Sequence, residues 1–293
     1  MQKSRSSVPI RFAFALTFTA CGGGPPRTAP QPVSGAPAGL PDLTAQLQAA
    51  VRGPQPGDAV ITYAIFAPGK PEKRLDLKLA AAVETAFRAP PPEWAEAARR
   101  AGPMATQLTL SSAPVDTELP LNLEVLVEAA GPLGPQIAQA GQVAFVRFAG
   151  RPQTDHTQIT GAGLAAVAVA RLLGAPVVVD LSTFDAAAPD ALAASLAAVP
   201  DLRTHVRIAA TEDPAGTVTL RSRGLARFGK PDLELSGLPA AEVQIAGPRF
   251  MQALQAVWEA PKAAPGDRVG GFALTPCGSP PESWDHECVS LAP

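Results

Sequence analysis

Three cysteines are the side chains of this sequence with the most versatile chemistry. Cys21 lies near the start of the chain, whereas Cys277 and Cys288 lie near its other end. A cysteine thiol can be acylated, form a disulfide or bind a soft metal ion, and the compartment of the protein decides among these fates. The residues around each cysteine therefore carry the first functional predictions.

The residues before Cys21 have the composition of an export signal. Basic side chains precede a short apolar run at 12–19, and Ala20 stands directly before the cysteine. A basic region, an apolar region and a small residue at the cleavage point are typical of a signal peptide in this order. The apolar run is far shorter than the ~20 residues that span a bilayer. We therefore predict that 1–20 is a signal peptide.

The sequence Ala20-Cys21, followed by three glycines, resembles the lipobox of bacterial lipoproteins. The resemblance implies that Cys21 receives a diacylglyceryl group, becomes the mature N-terminus and carries a further acyl chain on its amine. Two or more acyl chains hold a protein stably on a membrane. Because no aspartate follows Cys21, the resemblance implies the outer membrane of a two-membrane bacterium. The alternative is ordinary secretion with cleavage elsewhere and a free thiol.

Composition divides the rest of the chain into three parts. The segment 22–41 reads GGGPPRTAPQPVSGAPAGLP and cannot bury a core, so we predict a disordered tether at 21–54. We predict one folded domain at 55–260 and a Pro/Gly-rich tail at 261–293. The chain is 46% apolar, which is ample for one core, and its net charge of −2 argues against a nucleic-acid partner.

Cys277 and Cys288 lie in the predicted tail, separated by eleven positions. In an exported protein such a pair favours a disulfide that holds the tail down. The alternative is a zinc site that includes His286 and Glu287. Two cysteines at this wide spacing make a poor zinc signature, so we predict the disulfide and no resident metal.

The three histidines lack the neighbours that a catalytic site needs. His156, His205 and His286 occur outside any G-x-S-x-G or H-E-x-x-H motif. Two of them follow an aspartate, but sequence neighbours rarely form a proton relay. We interpret the histidines as surface residues and predict no catalytic residue from sequence motifs.

Two glycine-rich stretches have only part of a nucleotide-binding motif. The segment 224–230 has the spacing G-x-x-x-x-G-K, but Pro231 stands where a phosphate loop needs Ser or Thr for magnesium. Gly161 and Gly163 do not follow a predicted strand, as a dinucleotide turn would, and favour close packing of a helix instead. We therefore predict no cofactor.

One predicted hairpin has the charge cluster best suited to a ligand. Strands at 204–211 and 217–223 are joined by the turn residues of 212–216. Anionic ligands would suit its polar face, either phosphate groups of envelope lipids or an acidic protein. The alternative is a solvated sheet face of mixed charge. The residues of this candidate anion-binding face are His205, Arg207, Arg221 and Arg223.

The stretch 157–181 predicts the centre of the fold. From Leu164 to Leu173 it is apolar on every side except at Arg171, as in a buried helix. Gly174 then ends the helix, and Val177-Val178-Val179 favours a strand buried on both faces. At 121–128 the alternation favours a strand, but the prolines that follow favour a broken helix, which we predict. Further patterns indicate strands at 58–66, 105–110, 142–148 and 233–235, and helices at 75–87, 92–98, 185–199 and 248–258.

These elements predict a single α+β domain, a two-layer structure in which a mixed or antiparallel sheet packs against helices. The segment from Gly224 to Leu233 reads GLARFGKPDL and resembles an uncharacterised bacterial domain family with the signature G-L-x-x-F-G-x-P-D/E-L. The family has no established activity, so the resemblance supports the fold and implies no chemistry.

The sequence therefore predicts an exported, lipid-anchored envelope protein that is a non-enzymatic binding or structural module. Its partners would be the membrane, through the anchor, and an envelope protein or anionic ligand. The alternative is an envelope hydrolase or other enzyme whose site forms only in three dimensions, with His205 and the nearby arginines as candidates. A buried cleft around a histidine with a shifted pKa would favour the enzyme, and a flat exposed hairpin face would favour binding.

Overall fold

The computed structural model describes residues 57–115, 122–196, 202–277 and 288–291. The predicted signal peptide and the whole of the predicted tether, including Cys21, lie outside these ranges, as do His286 and Glu287. Among the described helices, none is long and apolar enough to cross a lipid bilayer.

The first sheet has five strands, all paired antiparallel, in the order β2-β3-β1-β4-β5. The central strand β1 is apolar except at Thr62 and is buried along nearly its whole length, as its sequence predicts. The strands are β1 (Ala59–Ala67), β2 (Leu108–Pro114), β3 (Gln142–Gly150), β4 (Val177–Asp180) and β5 (Asp185–Ala187).

Helices cover both faces of the first sheet. On one face, α5 and α1 pack against side chains such as Ile61, Ile65 and Val178. On the other face, α3 and α4 enclose Phe66 and Val179. The helices are α1 (Leu75–Arg88), α2 (Ala95–Ala101), α3 (Leu123–Ala129), α4 (Gly134–Ala138), α5 (Thr157–Leu173) and α6 (Pro189–Ser195).

The second sheet has six strands in the order β6-β7-β8-β11-β10-β9, and helix α8 covers its apolar face. Strand β11 pairs parallel with β8, and the other pairs are antiparallel. Three of its strands come from the predicted tail, where the sequence indicated none. The elements are α7 (Leu202–His205), β6 (Arg207–Glu212), β7 (Thr217–Arg223), β8 (Asp232–Pro239), α8 (Val243–Glu259), β9 (Arg268–Val269), β10 (Phe272–Pro276) and β11 (Cys288–Leu291).

The α+β fold, with mixed and antiparallel sheets packed against helices, is confirmed, and so is its predicted centre. Helix α5 is buried on almost all sides and ends at Gly174, which has the left-handed φ of 60°. All of β4 is buried. A Cβ on Gly163 would collide with Leu196 of the neighbouring segment, which agrees with the interpretation of this glycine as a close-packing residue.

The ambiguous segment 121–128 is helical where it is described, so the prediction of a broken helix is confirmed. The side chain of Asn122 accepts a hydrogen bond from the N–H of Val125 at 3.3 Å and caps α3. A 3₁₀ turn at Gly131–Leu133 then separates α3 from α4. The two prolines therefore interrupt the helix, as their missing N–H groups require.

Several element boundaries predicted from the sequence are wrong. A 3₁₀ helix occupies Gly102–Gln107, so β2 begins later than 105. Asp185 lies in β5 and does not start a helix. Helix α8 begins at Val243, with Pro248 inside it. Strand β6 begins at Arg207, because the residues before it form the turn of α7.

Candidate functional site

The loop between β7 and β8 holds the GLARFGKPDL segment and lies between the two sheets. It forms a 3₁₀ turn at Leu225–Phe228, flanked by Gly224 with φ 114° and Gly229 with φ 68°. A Cβ on Gly224 would strike the carbonyl oxygen of His205, and a Cβ on Gly229 would strike that of Gly57. Both glycines are therefore required by backbone conformation and by close backbone packing.

Asp232, near the end of this segment, ties the loop together. Its Oδ1 accepts hydrogen bonds from the Ser222 hydroxyl at 3.0 Å and from the Leu225 N–H at 3.1 Å, and its Oδ2 accepts one from the Gly224 N–H at 3.4 Å. Burial raises the pKa of Asp232 to about 6, although these donors act in the opposite direction. The carboxylate therefore serves as an internal cap for the loop.

Arg227, in the middle of the loop, connects the second sheet to the first. Its guanidinium forms an ion pair with Asp180 at the end of β4, and the two side chains are 5% and 7% exposed. Burial lowers the pKa of Arg227, whereas the nearby Tyr63 of β1 and Asp232 raise it. Asp180 also accepts a hydrogen bond from the Ser182 N–H at 2.8 Å. A buried, paired charge thus lies at the junction of the sheets.

Two further polar side chains complete this junction. The Nδ1 of His205 lies 2.8 Å from a guanidinium nitrogen of Arg227. The side-chain amide of Gln158, which is fully buried in α5, donates to the carbonyl oxygen of Arg227 at 3.1 Å. We call the set Tyr63, Gln158, Asp180, His205, Ser222, Arg227 and Asp232 the junction network.

An aromatic corner borders the junction network. The ring of His156 contacts the edge of Phe228 at a centroid distance of 4.9 Å, and Phe228 contacts Trp258 at 4.3 Å. His156 precedes α5 with a left-handed φ of 57°, an uncommon conformation for a residue with a side chain. Burial lowers the pKa of the His156 imidazole, against the opposing charge of Asp155. His156 is therefore half-buried and is not the surface residue that the sequence predicts.

Lys230, the lysine of the G-x-x-x-x-G-K spacing, caps a helix. Its Nζ donates to the carbonyl oxygens of Val257 and Trp258 at 3.0 Å each, and also to that of Ala260. These carbonyls belong to the C-terminal end of α8, where a cation is stabilised by the helix dipole. This bonding supports the interpretation of the phosphate-loop spacing as a chance match.

The structure brings together three of the four residues predicted for the candidate anion-binding face. In the β6–β7 hairpin Arg207 lies opposite Arg223, and Arg221 is two positions away, so the three side chains share a face. His205 lies in α7, outside the hairpin, and its ring reaches the buried Arg227 instead.

Each of the three arginines has a partner within the chain. Arg207 bonds to Asp185 at 2.8 Å, and Arg221 forms an ion pair with Glu234 of β8. The guanidinium of Arg223 lies 4.2 Å from the centroid of the Phe184 ring. These contacts hold the arginines in fixed orientations and offset part of their charge.

Cys277 and Cys288 form the predicted disulfide, with their Cα atoms 5.7 Å apart. The bond joins the residue after β10 to the first residue of β11, so it closes the second sheet and does more than hold down a tail. The alternative zinc site would use His286 and Glu287, which lie outside the described residues.

Sequence patterns did not identify Asp180, Arg227 and Asp232 as residues of the site. A local signal was present for two of them, because Asp180 ends a run of three valines and Arg227 stands between buried Ala226 and Phe228. A charge inside an apolar run indicates a buried partner elsewhere in the chain. The pairing of Arg227 with Asp180 could not be predicted from local patterns, because it depends on how the two sheets are arranged.

No known protein-family model, curated protein or solved structure matches this chain. The residues of the chain itself therefore carry the functional argument.

Proposed function

We propose that this chain is an exported, lipid-anchored module of the cell envelope that binds an anionic ligand through its β6–β7 hairpin face. The observation that carries the proposal is the alignment of Arg207, Arg221 and Arg223 on one face of the hairpin. Acyl chains on Cys21 supply the anchor in this proposal, and the signal residues before Cys21 direct the export and the modification.

The guanidinium groups of Arg207, Arg221 and Arg223 suit oxygen-rich anions. Arginine presents a planar fork of donors that matches a phosphate or a carboxylate, and an oriented fork loses little side-chain entropy on binding. The side chain of Arg207 is 45% exposed and that of Arg221 is 25% exposed. Asp185 and Glu234 leave the face only moderately positive, so we expect weak, salt-dependent binding that the membrane anchor would assist.

The junction network supports a structural role for the buried charges. Asp180, Arg227 and Asp232 are each at most 7% exposed, and their bonds run to one another and to the loop. A substrate would have to separate the two sheets to reach them. Paired charges in such a place hold a geometry, and a broken pair is costly.

The anchor is tested by the intact mass and the location of the chain. We expect the chain from a membrane fraction to begin at Cys21 and to carry acyl chains, and we expect Cys21→Ser to leave that fraction. A Cys21→Ser chain that stays on membranes washed with high salt, or an unmodified wild type, would contradict the lipid anchor.

The binding face is tested by flotation of the Cys21→Ser chain with vesicles. We expect more protein to float with phosphatidylglycerol vesicles than with phosphatidylcholine vesicles, and less as salt is added. The double variant Arg207→Gln with Arg223→Gln should lose this difference, whereas Arg88→Gln on exposed α1 should keep it. A polyglutamate peptide that competes with the vesicles would show carboxylate recognition. Equal flotation with both vesicle types, without peptide binding, would refute the binding face.

An enzyme is the second candidate, because one histidine has an unusual environment. His156 is half-buried and conformationally strained, and its pKa is lowered, which are features of many catalytic groups. Ester and phosphate-ester hydrolysis by the wild type, lost in His156→Gln with an unchanged melting temperature, would favour this candidate. Equal rates for both chains would exclude His156 as a catalytic residue.

A further inference from the structure

One carboxylate approaches the disulfide that closes the second sheet. A carboxylate oxygen of Glu234 and the two sulfur atoms of Cys277 and Cys288 all lie within 4.8 Å of one another. Glu234 belongs to β8, Cys288 begins β11 and Cys277 directly follows β10. Three neighbouring strands therefore place one donor atom each at a single point, which fixes the donors far better than a loop would.

Arg221 orients this carboxylate. The Glu234 side chain is 6% exposed, and its Oε2 accepts a hydrogen bond from the Nε of Arg221 at 3.0 Å. The second bond from Arg221 reaches the same oxygen. Among the described residues Oε1 accepts no bond, so it is the oxygen that a further group can use. An outer partner that fixes a ligating carboxylate is a regular feature of metal sites.

The oxidised and reduced states of the site around the Cys277–Cys288 disulfide differ in net charge. With the disulfide formed, the charges of Glu234 and Arg221 cancel. Two thiolates would add two negative charges beside the buried carboxylate of Glu234. A divalent cation restores neutrality when both thiols ionise. The net charge of the site is therefore zero in two states, the disulfide and the metal-bound dithiolate.

We propose that reduction of the Cys277–Cys288 disulfide creates a site for a thiophilic divalent cation, with Zn²⁺ as the best fit. Two thiolates and one carboxylate suit this ion, and water completes a tetrahedron. A dithiol reductant supplies two electrons, the S–S bond breaks, each sulfur gains a proton, and the reductant forms its own disulfide. Binding then forms two Zn–S bonds and one Zn–O bond and releases the two thiol protons.

Cobalt absorption spectroscopy tests the site directly. The probe is Co²⁺ alone, added to the reduced full chain in a Cys21→Ser background, so that the remaining thiols are those of the site. We expect one Co²⁺ per chain with thiolate-to-cobalt absorption, displacement by Zn²⁺, and no such absorption from the oxidised chain. A reduced chain without thiolate-to-cobalt absorption would overturn the proposal.

Variants test the part of each ligand. We expect Cys288→Ser to abolish the absorption and Glu234→Gln to weaken Co²⁺ binding at least tenfold. Glu128→Gln on α3 is the matched exposed control and should bind as the wild type does. Glu234→Gln leaves Arg221 without the carboxylate of its ion pair. The double variant Arg221→Gln with Glu234→Gln removes this unpaired charge, and it should show the same loss of Co²⁺ affinity. Wild-type affinity in both Glu234 variants would refute the carboxylate ligand.

Discussion

The two sheets of this protein are stabilised in different ways. The first sheet is built from a single stretch of chain, 59–187, and buries apolar side chains on both faces beneath helices. The second sheet buries one face under α8, takes its interior strand β11 from the far end of the chain, and is closed by a disulfide. In the first sheet, burial of apolar side chains on both faces suffices for stability. In the second sheet, where α8 covers one face, the disulfide adds to the stabilisation by burial.

The junction network lies where these two kinds of structure meet. Arg227 comes from the second sheet and Asp180 from the first, and both are almost completely buried. Apolar contacts are non-directional, whereas an ion pair with defined partners fixes position. The difference between the sheets therefore predicts where single substitutions act most strongly.

The largest expected effect is the loss of the charge that joins the sheets. Arg227→Met should lower the free energy of unfolding by about 3–5 kcal/mol, because it leaves the buried carboxylate of Asp180 without its partner. Urea unfolding measures this change, and Arg99→Met on exposed α2 is the control. The double variant Arg227→Met with Asp180→Leu should recover most of the loss. A double variant no more stable than Arg227→Met alone would contradict the ion-pair explanation.

A charge placed in the first sheet should have the next largest effect. Val178→Asp puts a carboxylate in a strand position that is 1% exposed, between Ile65 and Ala187. The cost is at least ~3 kcal/mol, which corresponds to a fall in melting temperature of roughly 6–12 °C. Leu172→Asp, at a position that is 45% exposed, is the matched control. A Val178→Asp chain that melts within a few degrees of wild type would show that β4 is not the buried centre.

The buried carboxylate of Asp232, in the second sheet, should make the free energy of unfolding depend on pH. The folded pKa of Asp232, about 6, exceeds the ordinary value of 3.8, so the folded chain binds more protons between these values. Its contribution to the free energy of unfolding is therefore greatest below pH 4 and declines by about 3 kcal/mol as the pH rises through 6.

This pH effect is read as the difference between wild type and Asp232→Asn in urea unfolding from pH 4 to pH 7. The subtraction is needed because the lowered pKa of His156 acts in the opposite direction, favouring unfolding as that group is protonated. Parallel curves for the two chains would mean that Asp232 keeps an ordinary pKa.

The smallest effect expected is loss of the disulfide. Replacing both Cys277 and Cys288 by alanine should cost roughly 2–3 kcal/mol, from the entropy of the loop that the bond closes. Amide hydrogen exchange should accelerate in β8, β10 and β11 and stay slow in β1 and β3. Equal acceleration in both sheets would show that they unfold as one unit and do not differ in local stability.

The sequence predicted the elements whose pattern is local. The apolar runs of β1 and β4, the buried helix α5 with its glycine stop, and the β6–β7 hairpin are all found. The short strands β9, β10 and β11 were not predicted, because their pairing partners lie far away along the chain and their own pattern is brief. Propensity within such short segments is too weak to outweigh proline and glycine nearby.

The candidate site was predicted only in part, for the same physical reason. Alternation along β7 places Arg221 and Arg223 on one face, and hairpin pairing adds Arg207. Nothing in the local pattern shows that Glu234 and Asp185 partner these arginines, or that Arg227 pairs with Asp180. Pairings between elements depend on the order of strands, which periodicity does not determine.

The position of β11 has a consequence for the way in which the protein is assembled. This strand separates β8 from β10, yet among the described strands of both sheets it is the last to be synthesised. Until it arrives, β8 and β10 each present an unpaired edge, the kind of surface on which chains aggregate. The first sheet has all its strands by Ala187 and can form earlier. The first sheet can therefore form during synthesis, whereas the second sheet is complete only when β11 is added between β8 and β10.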